Sequence, residues 1–348
     1  MIKPFDWRNG KLVWIDTSKL PWNEVYHESS DLERLAQAIE RMEVRGAPAI
    51  GAFAALALAT HIYNVDVKSI NDLEKEFIKA LNRLKRTRPT AYNLFWALNR
   101  MNNKFKELLK TSNDINTIKK EILREALKIR DEDIEINKKI GYYGSKLIND
   151  GDTILTHCNA GALATAGYGT ALGIIRAAWY SGKKIKVIAT ETRPVLQGAR
   201  LTIWELKKEG IPVKLITDSM VGYVMSRKLV NKVIVGADRI LLDGHVINKI
   251  GTYTIAVLAS RHNIPFYVAA PTSTIDPEST IEEVVIEERN PNEVRTILGK
   301  IYITLPDVEV LNPAFDITPP ELVTAIITEK GMVSQPYKEN IARIMRFR

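Results

Sequence analysis

Five short runs of apolar, largely β-branched residues divide the second half of this chain, at 153–157, 185–190, 213–217, 233–235 and 266–269. Between them, apolar residues recur at helical spacing over 165–181, 196–209, 220–228 and 251–263. Strands that alternate with helices pair in parallel, because the helix carries the chain back across the sheet. Parallel strands are buried on both faces and read as continuous apolar runs, as these do. The pattern predicts an α/β fold whose second half is a doubly wound parallel sheet.

The first half reads differently. Residues 31–150 are mainly helical in pattern: Leu32, Leu35, Ala36, Ile39 and Met42 share one helix face, and further runs cover 71–86, 90–109 and 114–149. Ser30 and Glu33 have capping-box spacing ahead of the first helix. Residues 11–16 read as a short strand. The turn signal Asn149-Asp150-Gly151 sets the expected boundary, giving a helical domain at 1–148 and a sheet domain at 149–348. A length of 348 residues suits two domains. The stretch from Pro319 reads as a helix and a tail.

Charge and composition narrow the function. Lys and Arg number 49 against 41 Asp and Glu, a net charge of +8, but the basic residues are spread along the chain. Such a surface suits solvation or a phosphate-bearing substrate, and no aromatic-rich basic strand points to nucleic acid. The one cysteine, Cys158, can form neither an internal disulfide nor a cysteine-based zinc site. The start lacks an apolar leader, and the most apolar stretch, 47–59, is too short to span a bilayer. A cytoplasmic protein without membrane contact is expected. There is no Walker A string, the glycines at 167, 169 and 173 miss the dinucleotide spacing, and no His/Asp cluster has metal-ligand spacing. A reaction with no cofactor and no metal is the economical expectation.

Ligands of open α/β sheets bind beyond the carboxyl ends of the strands. Here the first strand leads into His157-Cys158-Asn159, the second into Glu191-Thr192-Arg193, the third into Asp218-Ser219, the fourth into Gly236-Ala237-Asp238 and the fifth into Pro271-Thr272-Ser273-Thr274. Polar strand ends also arise from helix caps, so each residue has a plain alternative. Cys158 is either a small buried hydrophobe or a reactive group. Asp238 is either a cap or a carboxyl group held ready as an acid. His157 either orients Cys158 or is a satisfied core histidine. Asp218 and Asp243 read as caps or turn residues. Arg45-Gly46-Ala47-Pro48 opens an Ala-rich helix, where free N–H groups and the dipole favour an anion. Arg86-Thr87-Arg88-Pro89-Thr90 is a second basic turn.

Six strings resemble the methylthioribose-1-phosphate isomerase family, within the initiation factor 2B-like superfamily. They are Arg45-Gly-Ala-Pro-Ala-Ile-Gly51, Thr156-His-Cys-Asn-Ala-Gly161, Glu191-Thr-Arg-Pro194, Gln197-Gly-Ala-Arg200, Gly236-Ala-Asp-Arg239 and Asn248-Lys-Ile-Gly-Thr-Tyr253, in family order over residues 10–340. The resemblance implies a helical N-terminal domain on a Rossmann-like C-terminal domain, usually as a homodimer. It implies an aldose–ketose isomerase of a small sugar phosphate, with Cys158 and Asp238 as catalytic residues. It places Arg45, Gly46, Ala47, Arg88, Gln197, Asn248 and Lys249 against the substrate. Ribose-1,5-bisphosphate isomerases share the Cys and Asp, and the regulatory initiation-factor subunits are the non-enzymatic alternative.

Overall fold

The structure, a computed structural model, describes residues 2–88 and 92–346. Pro89, Thr90 and Ala91, part of the second basic turn and of the 90–109 helical run, lie outside the described residues. There are two compact units. The first runs to Ile136 and takes in Ala162–Gly169, and the second holds the remainder. The division falls inside a continuous helix and not at the Asn149-Asp150-Gly151 turn, which ends that helix without ending a unit.

The first unit opens with an antiparallel sheet of β1 (Phe5–Arg8), β2 (Lys11–Ile15) and β3 (Tyr26–Ser29). Helices α1 (Leu32–Glu40), α2 (Ala47–Asn64), α3 (Ile70–Lys85), α4 (Tyr92–Thr111) and α5 (Ile115–Ser145) follow, α5 continuing into the second unit. Asp31 caps α1, its carboxylate accepting the Arg34 N–H at 2.7 Å, in place of the expected Ser30. A carboxylate suits that position because the helix dipole favours negative charge there. Helix α2 is apolar on all sides and buried along most of its length. Its alanines admit close neighbours, and Phe53 meets Trp14 and Phe5 edge-on, each at 5.6 Å. Phe77 and Phe105 stack at 3.9 Å between α3 and α4.

The second unit is built on a seven-stranded sheet. Its strands are β4 (Thr153–Thr156), β5 (Lys186–Thr190), β6 (Val213–Ile216), β7 (Lys232–Val235), β10 (Phe266–Ala269), β15 (Ala325–Thr328) and β16 (Gly331–Val333), in the order β16-β15-β10-β7-β4-β5-β6. All neighbours are parallel except the edge strand β16. Helices α6 (Ala171–Tyr180), α7 (Ile203–Lys208), α8 (Val221–Ser226) and α9 (Thr252–Arg261) lie between strands. A second sheet, ordered β11-β8-β9-β14, joins β8 (Arg239–Leu241), β9 (Val246–Lys249), β11 (Ile275–Asp276) and β14 (Phe315–Thr318). Helix α10 (Asn292–Arg295), the hairpin β12 (Thr296–Ile297) with β13 (Ile301–Tyr302), and α11 (Tyr337–Arg346) complete the chain. The stretch after Pro319 thus holds two strands before its helix. Ala325-Ile-Ile-Thr is buried throughout, the mark of an inner parallel strand.

Two polar devices hold this unit. Arg176 of α6 and Glu205 of α7, both fully buried, pair at 2.6 Å. Asp316 of β14 accepts the N–H groups of Gly251 at 2.7 Å and Tyr253 at 3.1 Å, and so caps α9 from a neighbouring strand. Burial raises the Asp316 carboxyl from 3.8 to about 6, against the pull of those N–H groups and of Lys249.

Each device has a measurable consequence. Arg176 also pairs with Glu209 at 2.5 Å, so Glu205→Ala leaves it one carboxylate and is expected to cost about 1–3 kcal/mol in urea unfolding. Arg176→Met, which takes the cation from both carboxylates, should cost more, about 3–5 kcal/mol, and a smaller loss than in Glu205→Ala would contradict the pairing. For Asp316, the folded chain keeps a proton that the unfolded chain has released. The stabilisation from this proton is complete below about pH 4 and is lost as pH rises to about 6. Asp316→Asn should flatten that slope in unfolding free energy, whereas an undiminished slope would assign it to another group.

Candidate functional site

The winding direction of the large sheet reverses between β4 and β7. From β4 the chain steps outward to β5 and β6, then returns to β7 and steps the other way to β10 and β15. Loops leaving neighbouring strands in opposite directions open a crevice at the carboxyl ends. His157-Cys158 leaves β4 there, and Gly236-Ala237-Asp238 leaves β7. Leu155 pairs with Val233, so the two segments emerge side by side.

Cys158 adopts φ 60°, a left-handed conformation uncommon for a residue with a Cβ. Its N–H donates to Thr192 Oγ1 at 2.9 Å, and its carbonyl accepts the Thr202 hydroxyl at 2.6 Å. Thr192, β-branched, is itself at φ 63°. It is held by Asp218, whose carboxylate accepts the N–H of Thr192 at 2.8 Å and of Arg193 at 2.7 Å. Asp218 therefore braces the loop after β5. The next residue, Asn159, donates to Glu205 at 2.9 Å, so the buried pair with Arg176 extends to the Cys158 loop. Backbone strain of this kind persists only where its surroundings over-determine it.

His157 is buried between two partners, with Nδ1 2.6 Å from Thr190 Oγ1 and Nε2 2.8 Å from the Ile250 carbonyl. A carbonyl only accepts, so Nε2 carries the proton and Nδ1 accepts from the threonine. Burial holds the imidazole below its ordinary pKa, against the Asp218 charge and the Ile250 carbonyl, while Lys249 adds to the lowering.

Asp238 is half-buried, and its N–H donates to the Ile247 carbonyl at 3.0 Å. This bond ties the end of β7 to β9, where Asn248 and Lys249 are both buried. Asn248 donates to Thr252 Oγ1 at 3.0 Å. Lys249 Nζ donates to the Ala314 carbonyl at 2.7 Å and lies 4.5 Å from the Phe315 ring. Gln197 precedes a five-residue π turn, Gly198–Thr202, a distortion that recurs at functional sites. The residue is 7 % exposed, and among the described residues its buried Oε1 has no hydrogen-bond partner. Five of the nine anticipated residues, Cys158, Gln197, Asp238, Asn248 and Lys249, thus belong to loops and strand ends of the second unit.

The other four are in the first unit. Arg45 is half-buried beside Gly46, which caps α2 at φ 93°, with Ala47 as the first helical residue. A side chain at Gly46 would collide with the Ala164 backbone. Among the described residues no side chain caps α2, and a helix start favours an anion. Arg88 is half-buried and follows α3. Among the described residues, one group combines metal-ligand types: Asp16, His27 and Glu43, with ligand atoms within 4.8 Å of one another. Glu43 already accepts from Trp14 at 2.9 Å and Arg34 at 2.7 Å, and Asp16 from Ser18, so these acids serve the core of the first unit. Asp316 and the Arg176–Glu205 pair had no signal at the level of motif, because their partners lie 65 and 29 residues away, whereas Thr192 stood in a motif string but its bond to Cys158 spans 34 residues.

Residues 43–335 match the Initiation factor 2 subunit family. A methylthioribose-1-phosphate isomerase of Petrotoga mobilis is 56% identical, over 97% of each chain. The structure of 5-methylthioribose 1-phosphate isomerase from Pyrococcus horikoshii superposes with a TM-score of 0.95 at 44% identity, covering 100% of this chain and 97% of that one. A structure from A. fulgidus described as translation initiation factor eIF-2B subunit delta gives 0.91 at 48% identity, covering both chains fully. Among the described residues no helix is long and apolar enough to cross a membrane. By sequence match and by fold, the chain belongs to the Initiation factor 2 subunit family.

Proposed function

We propose that this chain is an aldose–ketose isomerase that converts 5-methylthioribose 1-phosphate to 5-methylthioribulose 1-phosphate in methionine salvage, as a cytoplasmic homodimer. The observation that carries this reading is that the loops bearing Cys158 and Asp238 leave adjacent strands at the reversal point of one sheet, in a chain so similar to named isomerases. The strained Cys158 backbone and the unpartnered Gln197 Oε1 support it. A buried acceptor without a donor costs about 1–3 kcal/mol, and a sugar hydroxyl would satisfy it.

The substrate carries phosphate on its anomeric oxygen, so its ring does not open as a free sugar's does. Asp238 donates a proton to the ring oxygen as the bond between that oxygen and C1 breaks. Hydrogen then passes from C2 to C1 with its electron pair, and Cys158 takes the C2 hydroxyl proton as C2 becomes the carbonyl carbon. Gln197 and Asn248 hold hydroxyls. In the second unit Lys249 is suited to the phosphate, and in the first unit Arg45, Arg88 and the backbone of Gly46 and Ala47 are suited to an anion, each through charge-assisted hydrogen bonds. Positioned groups of this kind lower the barrier chiefly by orientation.

Purified protein, incubated without added metal or nucleotide, should convert 5-methylthioribose 1-phosphate and not ribose 1,5-bisphosphate, followed by phosphorus NMR. Conversion of the bisphosphate alone would replace the substrate, and conversion of neither would favour a regulatory subunit. Cys158→Ser and Asp238→Asn should each lower kcat by about two orders of magnitude or more with unfolding curves unchanged. Turnover near wild type in either variant removes that residue from the chemistry. Gln197→Ala should lose about 1 kcal/mol of binding, roughly five-fold in kcat/KM. Arg88→Ala should lose about 1.5–3 kcal/mol, roughly 10- to 150-fold, mostly in KM. An unchanged KM would exclude Arg88 from the phosphate site.

A further inference from the structure

His157 takes no part in the chemistry above, yet both its ring nitrogens are engaged. On one side Thr190, at the end of β5, donates to Nδ1, and on the other Nε2 donates to Ile250. Ile250 directly follows Asn248 and Lys249, and His157 directly precedes Cys158. The ring also fills the space beside Gly251, at φ 101°, where a Cβ would lie 3.1 Å from its Cε1. Two segments 93 residues apart are thus joined through one imidazole.

We infer that His157 is a positioning residue for the isomerase reaction: a neutral strut that fixes Ile250, and with it the end of β9 that carries Asn248 and Lys249, relative to Cys158. This rests on the function proposed above. The strut works in the neutral form, in which Nε2 donates to the Ile250 carbonyl and Nδ1 accepts the Thr190 hydroxyl. Burial favours the neutral form, as does the ammonium of Lys249, whereas Asp218 opposes it. The Cys158 backbone has its own supports in Thr192 and Thr202, and β9 is paired with β14, so loss of the strut falls first on the Ile250 carbonyl, which loses its donor, and through it on the neighbouring Asn248 and Lys249. That separates a strut from a proton carrier: a strut acts through binding, a proton carrier through kcat and its pH profile.

The test compares His157→Asn with His157→Gln. The Asn amide lies near the place of Nδ1 and cannot reach Ile250, whereas the Gln amide lies near the place of Nε2 and restores that donor. Hydrogen exchange of the 248–253 backbone in the free protein should be faster in His157→Asn and close to wild type in His157→Gln. With 5-methylthioribose 1-phosphate, His157→Asn should raise KM about ten-fold, the order of one buried hydrogen bond, with a smaller change in kcat and an unchanged pH profile. His157→Gln should recover most of the KM. Wild-type exchange and KM in His157→Asn would overturn the inference. So would a kcat loss of about two orders of magnitude with a missing limb of the pH profile and no rescue by Gln, which would make His157 a proton carrier. If wild-type protein turns over no sugar phosphate, the proposed function fails, and the exchange comparison still decides the strut. If His157→Asn does not fold, exchange in His157→Gln decides: protection of 248–253 like wild type supports the strut, and its loss overturns it.

Discussion

Two adjacent parallel strands whose connections run in opposite directions leave their carboxyl ends uncovered by either crossover. The second unit depends on that gap between β4 and β7. The register of the pair brings the residues after Thr156 and Val235 side by side. Everything offered there must come from loops, and a loop holds a side chain only as firmly as its backbone is braced.

Bracing is what the surrounding polar groups supply. Cys158 and Thr192 both sit at positive φ, each a costly conformation, and each is fixed by hydrogen bonds to the other and to Thr202 and Asp218. Behind them the Arg176–Glu205 pair reaches the loop through Asn159. A buried ion pair is weak evidence for net stability, since desolvation offsets the attraction. Its contribution here is positional, because Glu205, held by Arg176, accepts from the Asn159 amide next to Cys158. On the far side the β9–β14 pairing sets Asn248 opposite Asp316, whose carboxylate secures the start of α9.

Much of this was legible in the sequence because period and polarity are local. Five of the six parallel strands stood out as apolar runs, and every residue carried over by resemblance could be named. The sixth, β15, was obscured by Pro319-Pro320, which mimics a helix start. The β8–β9 hairpin was passed over although Asp243-Gly244 between apolar residues is a turn signal, with Gly244 at φ 95°. The cap of α1 shifted by one residue because a carboxylate outcompeted a hydroxyl. What no local pattern carries is a contact made across the fold. Thr192, Asp218 and Asp316 read as ordinary loop and strand residues until folding brings them to the backbone they hold.

The central claim is that Cys158 and Asp238 flank the reacting carbons at the reversal of the sheet. A crystal structure of the complex with 5-methylthioribulose 1-phosphate tests it most directly. The account predicts C1 and C2 of the sugar in contact with Cys158 Sγ and the Asp238 carboxylate, with a hydroxyl on Gln197 Oε1. A sugar bound away from the ends of β4 and β7, with Gln197 Oε1 still unpartnered, would contradict it.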